Sequence, residues 1–185
     1  NKIRKITPAG VVTTLAGPIC PQYGSCPSGA VDGTGSAARF DRPVDIATDT
    51  VGNMYVVDYR NNTIRKVTPA GVVTTLAGTA GAGRASIDGM STVARFDGPW
   101  GIATDNADNI YVSQSGTAKL RKITPAGMVT SIIGCPDDHS DCSPVVPMSA
   151  GQTYSASLYG LAISGSSLYM AGGESSSVLV VNPLP

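Results

Sequence analysis

Four cysteines are the side chains best placed to react with one another. Cys20 and Cys26 flank PQYGS, and Cys135 and Cys142 flank PDDHSD. Two even pairs at short spacing predict two local disulfides, with free thiols as the plainer alternative. Disulfides imply an oxidising compartment: the periplasm, the cell surface or the extracellular space. Metal chemistry fits less well, because both spacings are wider than the usual zinc pattern and His139 is the single histidine. Asp137, Asp138 and Asp141 carry hard oxygen ligands suited to Ca²⁺, yet the glycine-containing calcium loop is missing, so a solvated acidic loop is expected. The haem motif C-x-x-C-H is absent as well. No metal and no cofactor is predicted.

A second group of residues suits recognition. Tyr59, Arg60, Asn61 and Asn62 combine an aromatic face, a cation and two amides, which suit a glycan or a peptide. Ordinary turn chemistry is the competing account of the same residues. Trp100 is the sole tryptophan; it is either a stacking anchor or core packing. Asp45 stands where the next repeat has Gly101, and its carboxylate would contact a ligand or water. Gln114 occupies the place of Asp58 in the next repeat and completes the set of candidate binding residues. No catalytic residues are predicted. One histidine in a cysteine-bounded loop makes no Ser-His-Asp set, and no G-x-S-x-G elbow is present. Asp32-Gly33-Thr34-Gly35 and Asp88-Gly89 lack the Gly-Lys-Ser/Thr of a phosphate loop and are expected to be turns.

Internal repeats show what must position these residues. Residues 3–17 read IRKITPAGVVTTLAG, residues 64–78 read IRKVTPAGVVTTLAG, and residues 120–134 read LRKITPAGMVTSIIG. Between them lie ARFDRPVDIATD at 38–49 and ARFDGPWGIATD at 94–105, with a worn copy, ASLYGLAISG, at 156–165. Each is followed by a third motif: GNMYVVD, DNIYVSQ or SSLYMAG. Every full unit thus holds four short apolar segments of strand length, with a turn such as Gly52-Asn53 between the first two and Pro-Ala-Gly between the last two. No segment keeps a 3.6-residue apolar period, so helices are not indicated. Four antiparallel strands repeated every 40–60 residues or so describe a propeller blade. The Arg-Lys pair at 65–66 is expected to lay its stems along the next blade and keep its heads in water.

The motif order P-x-x-I-A-x-D, G-N-x-Y-V-x-D, N-x-I-R-K-x-T-P-x-G and V-T-T-L-A-G resembles the bacterial NHL repeat over almost the whole chain. The resemblance implies an all-β propeller of four-stranded blades, with about six in a complete ring. It is a poor guide to function, because the family includes scaffolds, ligand receptors, and some lyases and hydrolases. Residues 1–17 supply two strands of a split blade, 43–78 and 99–134 are full blades, and 159–182 supply three strands. Thirteen strands make about three blades, fewer than a closed ring needs. Three explanations stay open: part of a longer propeller, two copies in one ring, or a subunit satisfied by another chain. The first is favoured.

Bulk composition narrows the partners. The chain is 42% hydrophobic and 14% charged, with 22 glycines, and its thirteen basic and thirteen acidic residues cancel. A nucleic-acid partner is not expected without a basic excess, and no run approaches the ~20 apolar residues of a membrane span. The expected function is an extracytoplasmic binding module that takes a protein or glycan on its inter-blade loops. The loops 58–63, 113–118 and 172–177 open on the same face as the long connections between blades. The alternatives are a structural subunit associating through open blade edges, and a propeller lyase or hydrolase whose site residues lie outside this chain.

Overall fold

The fold was analysed in a computed structural model, which describes residues 1–21, 25–117, 119–134, 158–172 and 178–184. It is all-β, built of antiparallel sheets, with no α-helix among the described residues. β1 (Ile3–Ile6) and β2 (Val12–Ala16) form a two-stranded sheet. The first full blade contains β4 (Pro43–Thr48), β5 (Met54–Asp58), β6 (Thr63–Val67) and β7 (Val72–Ala77). The second repeats it with β9 (Pro99–Thr104), β10 (Ile110–Gln114), β11 (Leu120–Ile123) and β12 (Met128–Ile133). The last sheet is β13 (Leu158–Ser164), β14 (Ser167–Gly172) and β15 (Val178–Val181). The blades do not close into a ring.

Each full blade carries a fifth strand that the sequence reading took for a turn. β3 (Gly33–Thr34) pairs with β7, and β8 (Gly89–Met90) pairs with β12, so the sheet orders are β3-β7-β6-β5-β4 and β8-β12-β11-β10-β9. Among the described residues there are therefore fifteen strands, where thirteen were expected. The chain leaves the outer strand of one blade, runs along the outer edge of the next, and only then drops to its inner strand. Covering an edge in this way leaves fewer unpaired backbone groups.

Side chains build the tight turns locally. Asp49 Oδ1 accepts the backbone N–H groups of Val51 and Asn53, while Oδ2 accepts Asn53 Nδ2 and the Tyr55 hydroxyl at 2.7 and 3.0 Å. Asp105 does the same with Ala107, Asn109 and Tyr111. Burial works to raise the Asp49 carboxyl pKa, but the Asn53, Tyr55 and Val51 hydrogen bonds outweigh it and hold the group below its usual value. The same balance lowers Asp105. Burial, with the adjoining Asp49, pushes Tyr55 up to about 12.

Packing occurs between blades. Ile3 and Ala16 meet Phe40, Val56 and Val67; Val57 and Ile64 meet Phe96, Ile102 and Val112; Tyr111 and Leu120 meet Leu158, Leu168 and Met170. Apolar burial of this kind supplies about 25 cal/mol per Å².

The recurring arginine differs from expectation. Arg65 and Arg121 have fully buried side chains, with no head in water. Arg65 binds Asp32 at 2.6 Å, Asp58 at 3.0 Å and the carbonyls of Val31 and Arg39, with Phe40 5.2 Å beneath it. Arg121 binds Asp88 at 2.7 Å, Gln114, Ser86 and the carbonyls of Ile87 and Arg95, and lies 5.3 Å from the Phe96 ring. The leading segment of each blade brings a carboxylate and carbonyls over the guanidinium, and these partners replace its water. Lys66 stays half-buried, 5.8 Å from the Tyr55 ring.

Candidate functional site

β5 ends in Asp58, and a 3-10 turn follows at Tyr59–Asn61. Asp58 is buried and anchors this turn from below. Its Oδ1 accepts the Asp41 N–H at 2.7 Å, and its Oδ2 accepts Asn61 Nδ2 at 2.7 Å and Arg65. Burial pushes the Asp58 carboxyl up, opposed by Asn61, the Asp41 N–H and Arg65. Asn61 also donates to the Gly29 carbonyl at 2.8 Å, three residues past the Cys20–Cys26 disulfide, whose Cα–Cα distance is 4.9 Å. Asn62 takes the left-handed conformation, φ 52, and its Oδ1 accepts the Gly98 N–H of the next blade at 3.2 Å.

This anchoring fixes Tyr59 against Trp100, which sits on the inner strand β9. The two rings meet edge to face at 5.2 Å, and Trp100 meets Tyr159 of β13 in the same way at 5.4 Å. An arc of three aromatic rings thus crosses three successive blades. Edge-to-face pairs of this kind contribute ~0.5–1.5 kcal/mol beyond their buried area. The Arg42 guanidinium lies 5.1 Å from the Tyr59 ring centre and 5.8 Å from that of Trp100. Arg84 donates to the Tyr59 hydroxyl at 3.3 Å and pairs with Asp97 at 3.6 Å; Arg60 faces Asp41 at 3.9 Å.

The expected binding residues therefore separate by role. Tyr59 and Trp100 come together in the arc, with Arg60 at its rim. Asn61 and Asn62 are occupied in holding the turn. Asp45 accepts the Ile102 N–H of the next inner strand at 2.9 Å through Oδ2, and the Ile46 N–H through Oδ1. Gln114 is buried, accepting from Arg121 and the Asp97 N–H and donating to Ser86 and Thr117. Cys135, Cys142, His139, Asp137, Asp138 and Asp141 lie outside the described residues, as does most of the loop 172–177.

Arg42, Arg84 and Tyr159 were missed. Two of them left a signal in the repeats. Arg42 stands where the next unit has Gly98, in DRP against DGP. Tyr159-Gly160-Leu161-Ala162 repeats Trp100-Gly101-Ile102-Ala103.

No protein-family model matches the sequence, and no curated protein matches it. Similar solved structures do exist. A protein of unknown function from Bacteroides thetaiotaomicron superposes with a TM-score of 0.61 and 22% identity, over 72% of this chain and 33% of its own. An auxiliary nutrient binding protein from the same organism gives 0.56 and 16%, over 88% of this chain and 38% of its own. Virginiamycin B lyase from Staphylococcus aureus gives 0.51 and 16%, over 98% of this chain and 62% of its own. These likenesses establish the β-propeller fold. The chain spans between about a third and three-fifths of the length of these structures. No helix among the described residues is long and apolar enough to cross a membrane.

Proposed function

We propose that this chain is part of an extracytoplasmic NHL-type propeller that binds a protein or glycan on the face carrying Tyr59 and Trp100. The observation that carries the reading is the aromatic arc Tyr59–Trp100–Tyr159, anchored from below and flanked by arginines. Preformed aromatic surfaces with a few fixed polar groups favour binding, since little ordering remains to be done. The similar nutrient binding protein agrees with this reading, and the Cys20–Cys26 disulfide agrees with an oxidising compartment. The test compares the full-length protein with its Tyr59→Ala/Trp100→Ala variant on arrays of glycans and cell-surface proteins. Retention of every wild-type signal by the variant would overturn the reading.

A second reading rests on apolar side chains at the two flanks. Ile6 and Val178 are each 68% exposed, with Val12 and Val180 beside them. We infer that further blades cover these faces, from the same chain or from another. Mass in solution against chain mass separates the two.

A further inference from the structure

We propose that Arg42, Tyr59, Trp100 and Tyr159 form a subsite for a carboxylate-bearing sugar, the uronic-acid residue of an acidic glycan. The inference rests on the glycan-binding reading above and names its ligand class.

The first observation is the backbone at Arg42. Its φ is 57, in the left-handed region that favours glycine, and the next blade has Gly98 there at φ 60. A long side chain is kept at a position where a repeat of the same sequence uses none. Strain of this kind points to a use for the side chain.

The second is what that side chain does. It lies 5.1 and 5.8 Å from the centres of two aromatic rings, and its guanidinium makes no hydrogen bond or ion pair among the described residues. The rings hold the cation by its charge and leave its N–H groups available. Those groups match a carboxylate in a two-bond fork. The neighbouring rings supply apolar surface for the C–H face of a sugar, and Asp41, next to Arg42 in the chain, offers an acceptor for a hydroxyl.

The surroundings disfavour other anions. Asp41 faces Arg60 and Asp97 faces Arg84, and these carboxylates repel a run of phosphates, whereas one carboxylate needs only Arg42. An acidic peptide adding as a strand would need free inner-strand donors. The Ile102 and Ile46 N–H groups are held by Asp45, and the Gly101 N–H by Ser113 Oγ at 2.8 Å.

Trp100, the sole tryptophan, reports on the site by its own fluorescence. The full-length protein is titrated with trigalacturonate and a hyaluronan tetrasaccharide, with their carboxyl-reduced counterparts, and with oligoglutamate. Acidic sugars should shift the Trp100 emission and bind at least ~10-fold more tightly than the reduced ones, a difference of about 1.4 kcal/mol. Arg42→Gly, which suits the backbone, should abolish that preference, so that acidic and reduced sugars bind alike, and should not lower the thermal midpoint. Equal affinity for acidic and reduced sugars, or a preference that survives Arg42→Gly, overturns the uronate assignment and leaves glycan binding standing. Binding of oligoglutamate alone overturns it in favour of a peptide. No response to any sugar, these or a broad neutral panel, overturns the glycan reading beneath it as well.

Discussion

Arg42 and Gly98 occupy the same left-handed backbone position, φ 57 and 60, at the threshold of consecutive blades. Each N–H is held by an asparagine side chain from the preceding blade: Asn1 Oδ1 at 2.9 Å for Arg42, Asn62 Oδ1 at 3.2 Å for Gly98. The clasp is common to both; the side chain beyond it differs. Arg42→Gly should leave stability unchanged or raise it by up to ~1 kcal/mol. The reverse change, Gly98→Arg, places a Cβ 2.8 Å from Ser115 Oγ and should cost ~2 kcal/mol or more. Urea unfolding of both variants gives the comparison.

Gly101 is required for a different reason. A Cβ there would collide with the Tyr159 carbonyl oxygen, which Ser113 Oγ bonds at 2.9 Å. Gly101→Ala should push β13 away from β9, lower stability by ~2–3 kcal/mol and loosen the Trp100–Tyr159 contact. A red-shifted Trp100 emission together with a lower unfolding midpoint is the expected result.

Asp58 and Gln114 answer the same structural question with different atoms. Asp58 meets only donors, whereas the Gln114 amide nitrogen meets the hydroxyls of Ser86 and Thr117. Asp58→Asn turns an N–H₂ group toward a donor and should cost ~2–3 kcal/mol. Arg65→Met leaves the buried Asp58 carboxylate without its counter-charge and should cost ~3–5 kcal/mol. Paired chemical unfolding curves would check the order of the two.

Acid should destabilise the fold through Asp49 and Asp105. Both are held below their unfolded pKa, so the stability they contribute is present above that value and is lost as pH falls through the folded one. Tyr55, raised to about 12, contributes below its unfolded value near 10, and this is lost as pH climbs toward 12. Asp49→Asn should flatten the acid limb of a plot of unfolding free energy against pH.

Reducing the Cys20–Cys26 disulfide opens a short loop and should remove ~2 kcal/mol by the chain-entropy account. The Gly29 carbonyl held by Asn61 lies just beyond this loop, so the Tyr59 turn should also become more mobile. Amide exchange at residues 59–62, with and without reductant, measures it.

The four-strand blade was legible because turn chemistry and apolar segments recur in register, from Thr68 to Gly71 and again from Thr124 to Gly127. β3 and β8 were not, because two residues carry no alternation and their Asp-Gly reads as a turn. The burial of Arg65 depends on Asp32, 33 residues earlier, and no local pattern records such a partner. Tyr59 and Trp100 were legible as residue types suited to recognition. Their meeting, and the approach of Arg42 to both rings, is a product of how blades lie side by side.

The leading strand changes where one blade ends and the next begins. Arg65 finds Asp32 and Arg121 finds Asp88 across the same interval of 33 residues, so each carboxylate travels with the arginine it covers. The exchangeable cassette therefore starts ahead of Asp32 or Asp88, well before the inner strand. A recombination event or a designed graft that joins at Pro43 or Pro99 would carry away the arginine and leave its counter-charge behind. Joined just after Gly17 or Gly78, the same transfer keeps Arg65 with Asp32 or Arg121 with Asp88.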